Sequence, residues 1–279
     1  LQGMGHQEMA TQNAVRYAFE RVQMKAPIAE HPAMRHTLLR LQALTEAQRV
    51  IAYRAALALD VAAHHGDATV RAQAGQLGAL LTPIVKAFIT HHGFHSASAA
   101  LQVWGGYGYV HDYGIEQTLR DARIAMVYEG TNEIQAIDLL QRKVLADGGA
   151  ALNRLLAELG AEADLCAAVP ELRDFAEALQ AQCEATRQAT ASVLAGHAAD
   201  PGRALRVADD YLFGLSHTLL AWAFAASARA ALQEPDADWA QGKTARMRYG
   251  MQWLLPAAAA HWQRVAAPAL ALPAVTAAE

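Results

Sequence analysis

The sequence predicts an all-α protein. Its apolar share of 53% is carried by alanine and leucine rather than by the β-branched and aromatic residues that strands prefer. Only nine prolines interrupt the 279 residues, and apolar residues recur at spacings of three and four along most of the chain. These observations predict an up-down four-helix bundle followed by a second, smaller helical domain.

The first half contains three long periodic stretches and a shorter fourth one that returns along the bundle. They cover residues 4–23, 35–65, 68–103 and 134–145, and a short amphipathic helix is predicted at 115–126. A break at Pro27–Pro32 separates the first two stretches, and Gly66-Asp67 ends the second. Pro83 lies inside the third, where we expect it to kink the helix or to begin its second half.

The second half is rich in alanine and is divided by glycine and proline. Three or four further helices are predicted, over about 171–194, 203–232 and 239–265, with enough apolar residues for a second small core. The tail from 266 to 279 contains Pro268 and Pro273 and is expected to fray. The predicted domains are therefore residues 1–146 and 147–279.

Composition and charge disfavour several classes of function. The formal charge of −4 is spread along the chain, so no basic stripe is available for nucleic acid. Two cysteines 17 residues apart form neither a disulfide framework nor a metal motif, which favours a reducing cytoplasm. No membrane span and no secretion signal are predicted. Because the chain opens on Leu1 in a helical stretch, we expect a piece of a longer protein.

Glu129 is the candidate catalytic residue. It lies between two predicted helices beside Tyr128 and Gly130, and Thr131 or Asn132 is placed to cap the next helix. Gly130 leaves room for a ligand, and free N–H groups at the helix start can hold a carbonyl oxygen as it becomes negative. A carboxylate beside such N–H donors suits removal of a proton next to a carbonyl group. The alternative is a solvated turn residue whose neighbours only cap the helix.

Two other clusters suggest a ligand. The glycines of Gly105-Gly106-Tyr107-Gly108 can bring bare backbone N–H groups to a phosphate or a flat ring, or can form a tight reversal. His91, His92 and His95 invite a metal hypothesis, because the first and last lie one helical turn apart. With no glutamate or cysteine ligand beside them, we predict helix-surface histidines and no metal site.

Three motifs follow one another in a fixed order. They are Gln102-Val103-Trp104-Gly105-Gly106-Tyr107-Gly108-Tyr109, Leu119-Arg120-Asp121-Ala122-Arg123-Ile124 and Tyr128-Glu129-Gly130-Thr131-Asn132-Glu133-Ile134-Gln135. As a set they resemble the C-terminal helical domain of the acyl-CoA dehydrogenases. Arg21 and the run from Leu81 to Phe88 agree with the same family. The resemblance covers about residues 1–146.

The resemblance implies a chemistry. The family consists of FAD-dependent enzymes that oxidise an acyl-CoA thioester to the trans-2-enoyl-CoA in fatty acid metabolism, with electron-transfer flavoprotein as the expected acceptor. Glu129 matches the catalytic base, which takes the pro-R α-proton while the β-hydrogen leaves as hydride to flavin N5. Hydrogen bonds hold the thioester carbonyl, one of them from the backbone N–H of the base itself.

The resemblance also implies contacts for individual residues. Tyr128 and Gly130 lie beside the substrate, and Thr131 and Glu133 contact the flavin cofactor. The residues implied to contact the FAD of a neighbouring subunit are Arg21, Gln102, Val103, Trp104, Gly105 and Gly106. Such contacts require a homodimer or a dimer of dimers. The sequence departs from the family where Glu133 replaces the usual glutamine, and where Val22-Gln23-Met24-Lys25 replaces Thr-Phe-Gly.

The remainder of the chain resembles the branch that includes methylmercaptopropionyl-CoA dehydrogenase, whose members carry a C-terminal helical addition. For that addition we expect a role in packing or oligomer contacts. Two alternatives stay open: a non-catalytic helical scaffold, and a flavoenzyme like the acyl-CoA or nitroalkane oxidases that passes electrons to oxygen. Because the family's other domains have no counterpart here, we expect this chain alone to bind FAD weakly or not at all and to be inactive.

Overall fold

The structure is a computed structural model that describes residues 1–267 and 274. The chain is 84% helical, which confirms the all-α class. The α-helices are α1 (Gln2–Glu20), α2 (Pro32–His64), α3 (Ala68–Trp104), α4 (Gly106–Tyr109), α5 (Ile115–Ile124), α6 (Asn132–Ile137), α7 (Ala150–Ala167), α8 (Arg173–Gly196), α9 (Arg203–Ala231), α10 (Ala237–Trp253) and α11 (Ala257–Ala266). A π-helix continues α6 over Asp138–Leu145, and 3-10 turns cover Ile28–Glu30, His111–Tyr113 and Pro170–Leu172.

α1 ends at Glu20 rather than at the predicted residue 23, because a β-hairpin follows it. Strands β1 (Val22–Gln23) and β2 (Ala26–Pro27) pair antiparallel and form the only sheet among the described residues. Met24 and Lys25 connect them with φ values of +50° and +69°. Positive φ at both loop residues is the pattern of a type I′ turn, for which Met-Lys is an unusual sequence.

Capping and proline explain the limits of α2 and α3. Pro32 occupies the first turn of α2, where its missing N–H costs nothing. The Asp67 carboxylate accepts hydrogen bonds from the first turn of α3, at 2.6 Å from Thr69 N and 3.2 Å from Val70 N. α3 then continues as one helix of 37 residues with Pro83 inside it, so Pro83 does not begin a second helix.

Glycine lets α1 and α3 approach each other closely. A Cβ atom placed on Gly93 would lie 2.6 Å from the carbonyl oxygen of Gly3, and one placed on Gly3 would lie 2.8 Å from Thr90 Cα. Neither contact is tolerated by a real side chain, so both positions require glycine. The start of α1 is thereby fixed against the middle of α3.

The second half differs from the sequence prediction at two places. α7 was not predicted, because its N-cap position is Gly149 and the capping side chain, Asp147, lies two residues earlier. The predicted helix 239–265 is two helices, α10 and α11, separated at Pro256. Of the tail predicted to fray, residues 268–273 and 275–279 lie outside the described residues.

One apolar cluster joins both halves of the chain. It includes Ile51 and Phe88 from the first half and Tyr211 and Phe224 from the second, all no more than 1% exposed. The second half therefore shares its core with α2 and α3 instead of forming a separate one. The division into residues 1–146 and 147–279 stays a prediction.

α9 is the central helix of the second half. Within the described residues it alone is long and apolar enough to cross a membrane by length and composition, and 89% of its most apolar stretch is buried inside the protein. A helix that is apolar around its whole circumference is also typical of a core position, and the burial of α9 fits that role.

Histidines cluster where α3 meets α9 and α11. The His92 ring lies 4.4 Å from the Phe88 ring between centroids, and His217 Nδ1 lies 2.7 Å from the carbonyl oxygen of Phe213. Of the three histidines predicted to lie on the helix surface, His95 is exposed, whereas His91 and His92 are half-buried. No group of three or more potential metal ligands occurs within residues 1–267 and 274.

We expect this cluster to make stability depend on pH. Burial lowers the pKa of both His91 and His217 to about 4, below the ordinary value of 6.5. As the pH falls, these histidines therefore gain protons in the unfolded chain before they do so in the folded protein. The free energy of unfolding is thus highest above pH 6.5 and decreases as the pH falls towards 4. Each histidine contributes at most about 1.4 kcal/mol per pH unit in this window.

Urea unfolding at pH 7 and at pH 5 measures this effect. His217 lies near His92 and His261, and no carboxylate within residues 1–267 forms a hydrogen bond with its ring, so His217→Asn is expected to reduce the pH dependence. His64→Gln, at an exposed position at the end of α2, should leave it unchanged. Equal pH dependence in the parent and in His217→Asn would contradict the assignment.

Candidate active site

The loop between α5 and α6 holds Glu129 in an unusual backbone conformation. Glu129 has φ +57° and Gly130 has φ +82°. Positive φ is costly for a residue with a side chain and persists only where the surroundings hold it. The Gln135 side chain does so in part, because its Nε2 donates to the Glu129 carbonyl oxygen at 2.8 Å.

Lys86 of α3 anchors this loop. Its ammonium group donates to three oxygens, which are the Gly130 carbonyl at 2.5 Å, Asn132 Oδ1 at 3.0 Å and the Met126 carbonyl at 3.3 Å. Burial lowers the pKa of Lys86, while the nearby carboxylates of Glu133 and Glu129 act in the opposite direction. One charged side chain therefore contacts the loop before and after Glu129.

Asn132 locks the same loop onto α3 from the other side. It is only 6% exposed, its Nδ2 donates to the Ala87 carbonyl at 3.0 Å, and its Oδ1 also accepts from Thr90 Oγ1 at 3.2 Å. Asn132 thus ties the loop to a distant helix and makes no side-chain cap; Thr131 occupies the N-cap position of α6. Sequence reasoning assigned no role to Lys86, although it lies in a run that matched the family.

Glu129 lines a cavity that we call the base cavity. Its volume is about 420 Å³, and its walls are mostly apolar, from the start of α1 and from α2 and α3, with Ala52, Val85 and Ile89 among them. Tyr128 lines it as well. Neither the carboxylate nor the backbone N–H of Glu129 makes a hydrogen bond within residues 1–267. Both groups are therefore available to a ligand.

A second cavity, the aromatic cavity, lies at the end of α3. It has a volume of about 570 Å³ and is lined by residues of α1, the hairpin and the glycine turn. Tyr17 and Trp104 stack with ring centroids 3.9 Å apart, and Trp104 Nε1 is buried without a hydrogen-bond partner among the described residues. The Arg21 guanidinium lies 5.0 Å from the Tyr107 ring centre.

The structure brings together most of the residues implied by the resemblance. The aromatic cavity is lined by Arg21, Val103, Trp104, Gly105 and Gly106, and the base cavity by Tyr128 and Glu129. Gly130 follows on the loop, whereas Gln102 is exposed and lines neither cavity.

Thr131 and Glu133 are exposed residues at the start of α6 that also line neither cavity. A hydrogen bond from Thr131 and one from the backbone N–H of Glu133 hold the pKa of the Glu133 carboxyl below its usual range. The Thr131 hydroxyl and the Glu133 carboxylate therefore contact each other beside the loop that contains Glu129. The role of each predicted site residue stays a prediction.

Comparison with known proteins gives the family. Residues 1–144 match the family model described as the acyl-CoA dehydrogenase C-terminal domain, and residues 144–275 match one described as acetyl-CoA dehydrogenase C-terminal like. A 3-methylmercaptopropionyl-CoA dehydrogenase of Ruegeria pomeroyi is 35% identical in an alignment of 279 positions that covers 95% of this chain and 47% of that protein.

Two further relatives agree. An acyl-CoA dehydrogenase of Bacillus subtilis is 36% identical over 136 residues, which cover 49% of this chain and 32% of the relative. The crystal structure of a Bacillus anthracis acyl-CoA dehydrogenase complexed with FAD superimposes with a TM-score of 0.77 at 20% identity, over 94% of this chain and 46% of that one. The chain thus spans less than half the length of each of these relatives. It belongs to the acyl-CoA dehydrogenase family.

Proposed function

We propose that this chain is the C-terminal part of an FAD-dependent acyl-CoA dehydrogenase that oxidises an acyl-CoA thioester to the trans-2-enoyl-CoA. The observation that carries the proposal is the position of Glu129. Its carboxylate and its own backbone N–H are both unpaired within the described part of the chain, at a largely apolar cavity of about 420 Å³.

The geometry of Glu129 supports removal of an α-proton. In this proposal the apolar walls from α2 and α3 take the acyl chain, and the Glu129 N–H donates to the thioester oxygen as negative charge develops on it. That charge develops because the carboxylate takes the proton from the α-carbon in the same step. FAD, when bound, supplies the acceptor for the β-hydrogen as hydride. Lys86 and Asn132 hold the loop so that the carboxylate and the N–H keep their relative positions.

The aromatic cavity fits part of an FAD molecule. Arg21 provides a guanidinium for a pyrophosphate, Trp104 Nε1 is a buried donor without a partner, and Tyr17 extends the aromatic wall. A Cβ on Gly106 would find open space, so packing inside this chain does not require glycine there, whereas Gly105 has φ +59°, which by itself favours glycine. Bare backbone at these positions suits a ligand that approaches closely. We assign this cavity, with the adjacent Gln102, to the FAD of a neighbouring subunit.

We also propose the flavin contacts, the oligomeric state and the electron acceptor of the enzyme. Thr131 and Glu133 contact the flavin of the same subunit, the enzyme is a homodimer or dimer of dimers, and electron-transfer flavoprotein accepts the electrons. We place the reaction in fatty acid metabolism in the cytoplasm.

Glu129 is exposed on this chain, so exclusion of water from the base requires further protein. We therefore propose that the chain alone is inactive and binds FAD weakly or not at all.

The proposal is tested by assaying the flavoenzyme that contains this chain with acyl-CoAs of increasing chain length and an artificial electron acceptor. We expect at least one acyl-CoA to bleach the flavin absorbance and to yield an enoyl-CoA, with no turnover by the 279 residues alone. Oxygen consumption equal to product formation would instead indicate an oxidase. Absence of flavin reduction with every acyl-CoA would favour a helical scaffold.

A further inference from the structure

α1 and α2 run antiparallel and contact each other along one face of each helix. Near the start of α1, Met4 shares an apolar cluster with Ala52 of α2. Further along the contact, the hydroxyl oxygens of Thr11 and Thr45 lie 2.9 Å apart, and both threonines are no more than 5% exposed. Early residues of α1 thus oppose later residues of α2, and these two pairs define how the helices are aligned.

Gln7 and Gln48 lie between these two pairs, and we call them the glutamine layer. The residues of the contact follow a spacing of three and four, at positions 4, 7 and 11 of α1 and 45, 48 and 52 of α2. Residues with this spacing lie on the same helix face, so the two glutamines oppose each other. An ion pair between Glu8 and Arg49, at the neighbouring positions, agrees with this alignment.

The amide groups of the glutamine layer have no partner in the protein. Both side chains are 0% exposed, and neither the Oε1 nor the Nε2 atom of either glutamine makes a hydrogen bond within residues 1–267 and 274. The layer also separates two apolar clusters, one that includes Met4 and one that includes Ala10. Because buried polar groups are nearly always hydrogen-bonded, four unpaired atoms at one place indicate a bound ligand.

The chemistry of the glutamine layer favours a small neutral ligand. The nearest charges, Glu8 and Arg49, pair with each other and leave no opposite charge for a buried ion. Gly3, Ala10 and Ala52, each within one helical turn of one of the amides, have no long side chain to occupy the same space. Water offers both donors and acceptors, as the amides do, and a buried water typically makes about three hydrogen bonds to otherwise unpaired groups.

We propose that Gln7 and Gln48 bind a buried water molecule that links α1 to α2. The water donates to Oε1 of one glutamine and accepts from Nε2 of the other. The site lies one helical turn from Gly3 and from Ala52, which line the base cavity, so the water helps to hold the start of α1 in place beside that cavity. The inference goes beyond the proposed function and does not depend on it.

A high-resolution crystal structure of the complete chain tests the site directly. We expect one ordered water at about 2.7–3.2 Å from an amide atom of Gln7 and from one of Gln48. In solution, magnetisation transfer from water to the side-chain NH₂ groups of both glutamines should show a water that stays bound longer than surface water. Reciprocal N–H···O bonds between the two amides, with no water that contacts both, would overturn the proposal.

Methionine variants test whether the two glutamines share one ligand. Gln7→Met and Gln48→Met keep the length of the side chain, but each leaves the water and the opposite amide with one partner fewer. We expect each to raise the equilibrium constant for unfolding, measured in urea, by about tenfold. The double variant removes both amides and needs no water, so its effect should be smaller than the product of the two single effects.

Gln180→Met is the matched control, because Gln180 is exposed on α8, and it should unfold like the parent. Single effects that multiply in the double variant would show that the two glutamines act independently. Unfolding of both single variants at the parent's urea concentration would show that the amides hold no ligand. Either result would contradict the proposal.

Discussion

Replacement of Glu129 with glutamine is expected to lower kcat of the flavoenzyme by about 10²–10⁴-fold, the range that a general base contributes. The amide has nearly the same size and can occupy the same left-handed backbone position, but it cannot accept a proton from carbon. The loop anchors Lys86 and Asn132 bond to backbone and side-chain atoms other than the Glu129 carboxylate, so the loop should keep its conformation. FAD content and the KM for acyl-CoA should change little.

Rapid mixing of the Glu129→Gln enzyme with acyl-CoA measures the predicted step directly, through the rate of flavin bleaching. Glu177→Gln is a matched control, because Glu177 is exposed on α8 and lines none of the cavities. The control should reduce flavin at the parent rate. If Glu129→Gln also reduced flavin at that rate, another group would have to be the base, and the assignment of Glu129 would be lost.

The sequence could predict the elements that depend on local pattern. The long helices follow from apolar residues at spacings of three and four, and the order of the motifs placed Glu129 in a loop before a helix. The start of α7 was harder to predict, because its capping carboxylate belongs to Asp147 and not to the N-cap residue. The hairpin after Glu20 also lacks a recognisable turn sequence, since Met24 and Lys25 are not typical of its geometry.

The supporting parts of the candidate site could not be predicted, because they depend on residues distant in the chain. Lys86 reaches the Gly130 carbonyl across 44 residues, and Asn132 reaches the Ala87 carbonyl across 45. No local pattern distinguishes such a lysine from one on a solvated helix face.

Replacement of Lys86 with methionine is expected to lower kcat by about 10²-fold with little change in KM. Methionine has a similar length but donates no hydrogen bond, so the Met126 and Gly130 carbonyls lose the ammonium group that ties them to α3. A misplacement of about 1 Å at a reacting group costs about 10²-fold in rate. The walls of the base cavity from α2 and α3 stay apolar, so the proposed binding of the acyl chain there should persist.

A positioning role for Lys86 differs from a purely structural role in its kinetic pattern. Lys86→Arg retains the charge and several donors and is expected to recover part of the lost kcat, whereas Lys143→Met, which removes a weak ion pair of 3.7 Å with Asp138, should behave like the parent. Loss of stability in Lys86→Met without loss of kcat per bound flavin would contradict the proposal. Because Lys86 bonds the loop on both sides of Glu129, its removal should increase the mobility of the proposed base without changing the apolar walls proposed to take the acyl chain. The kcat should therefore fall, while the affinity for acyl-CoA and the flavin content remain.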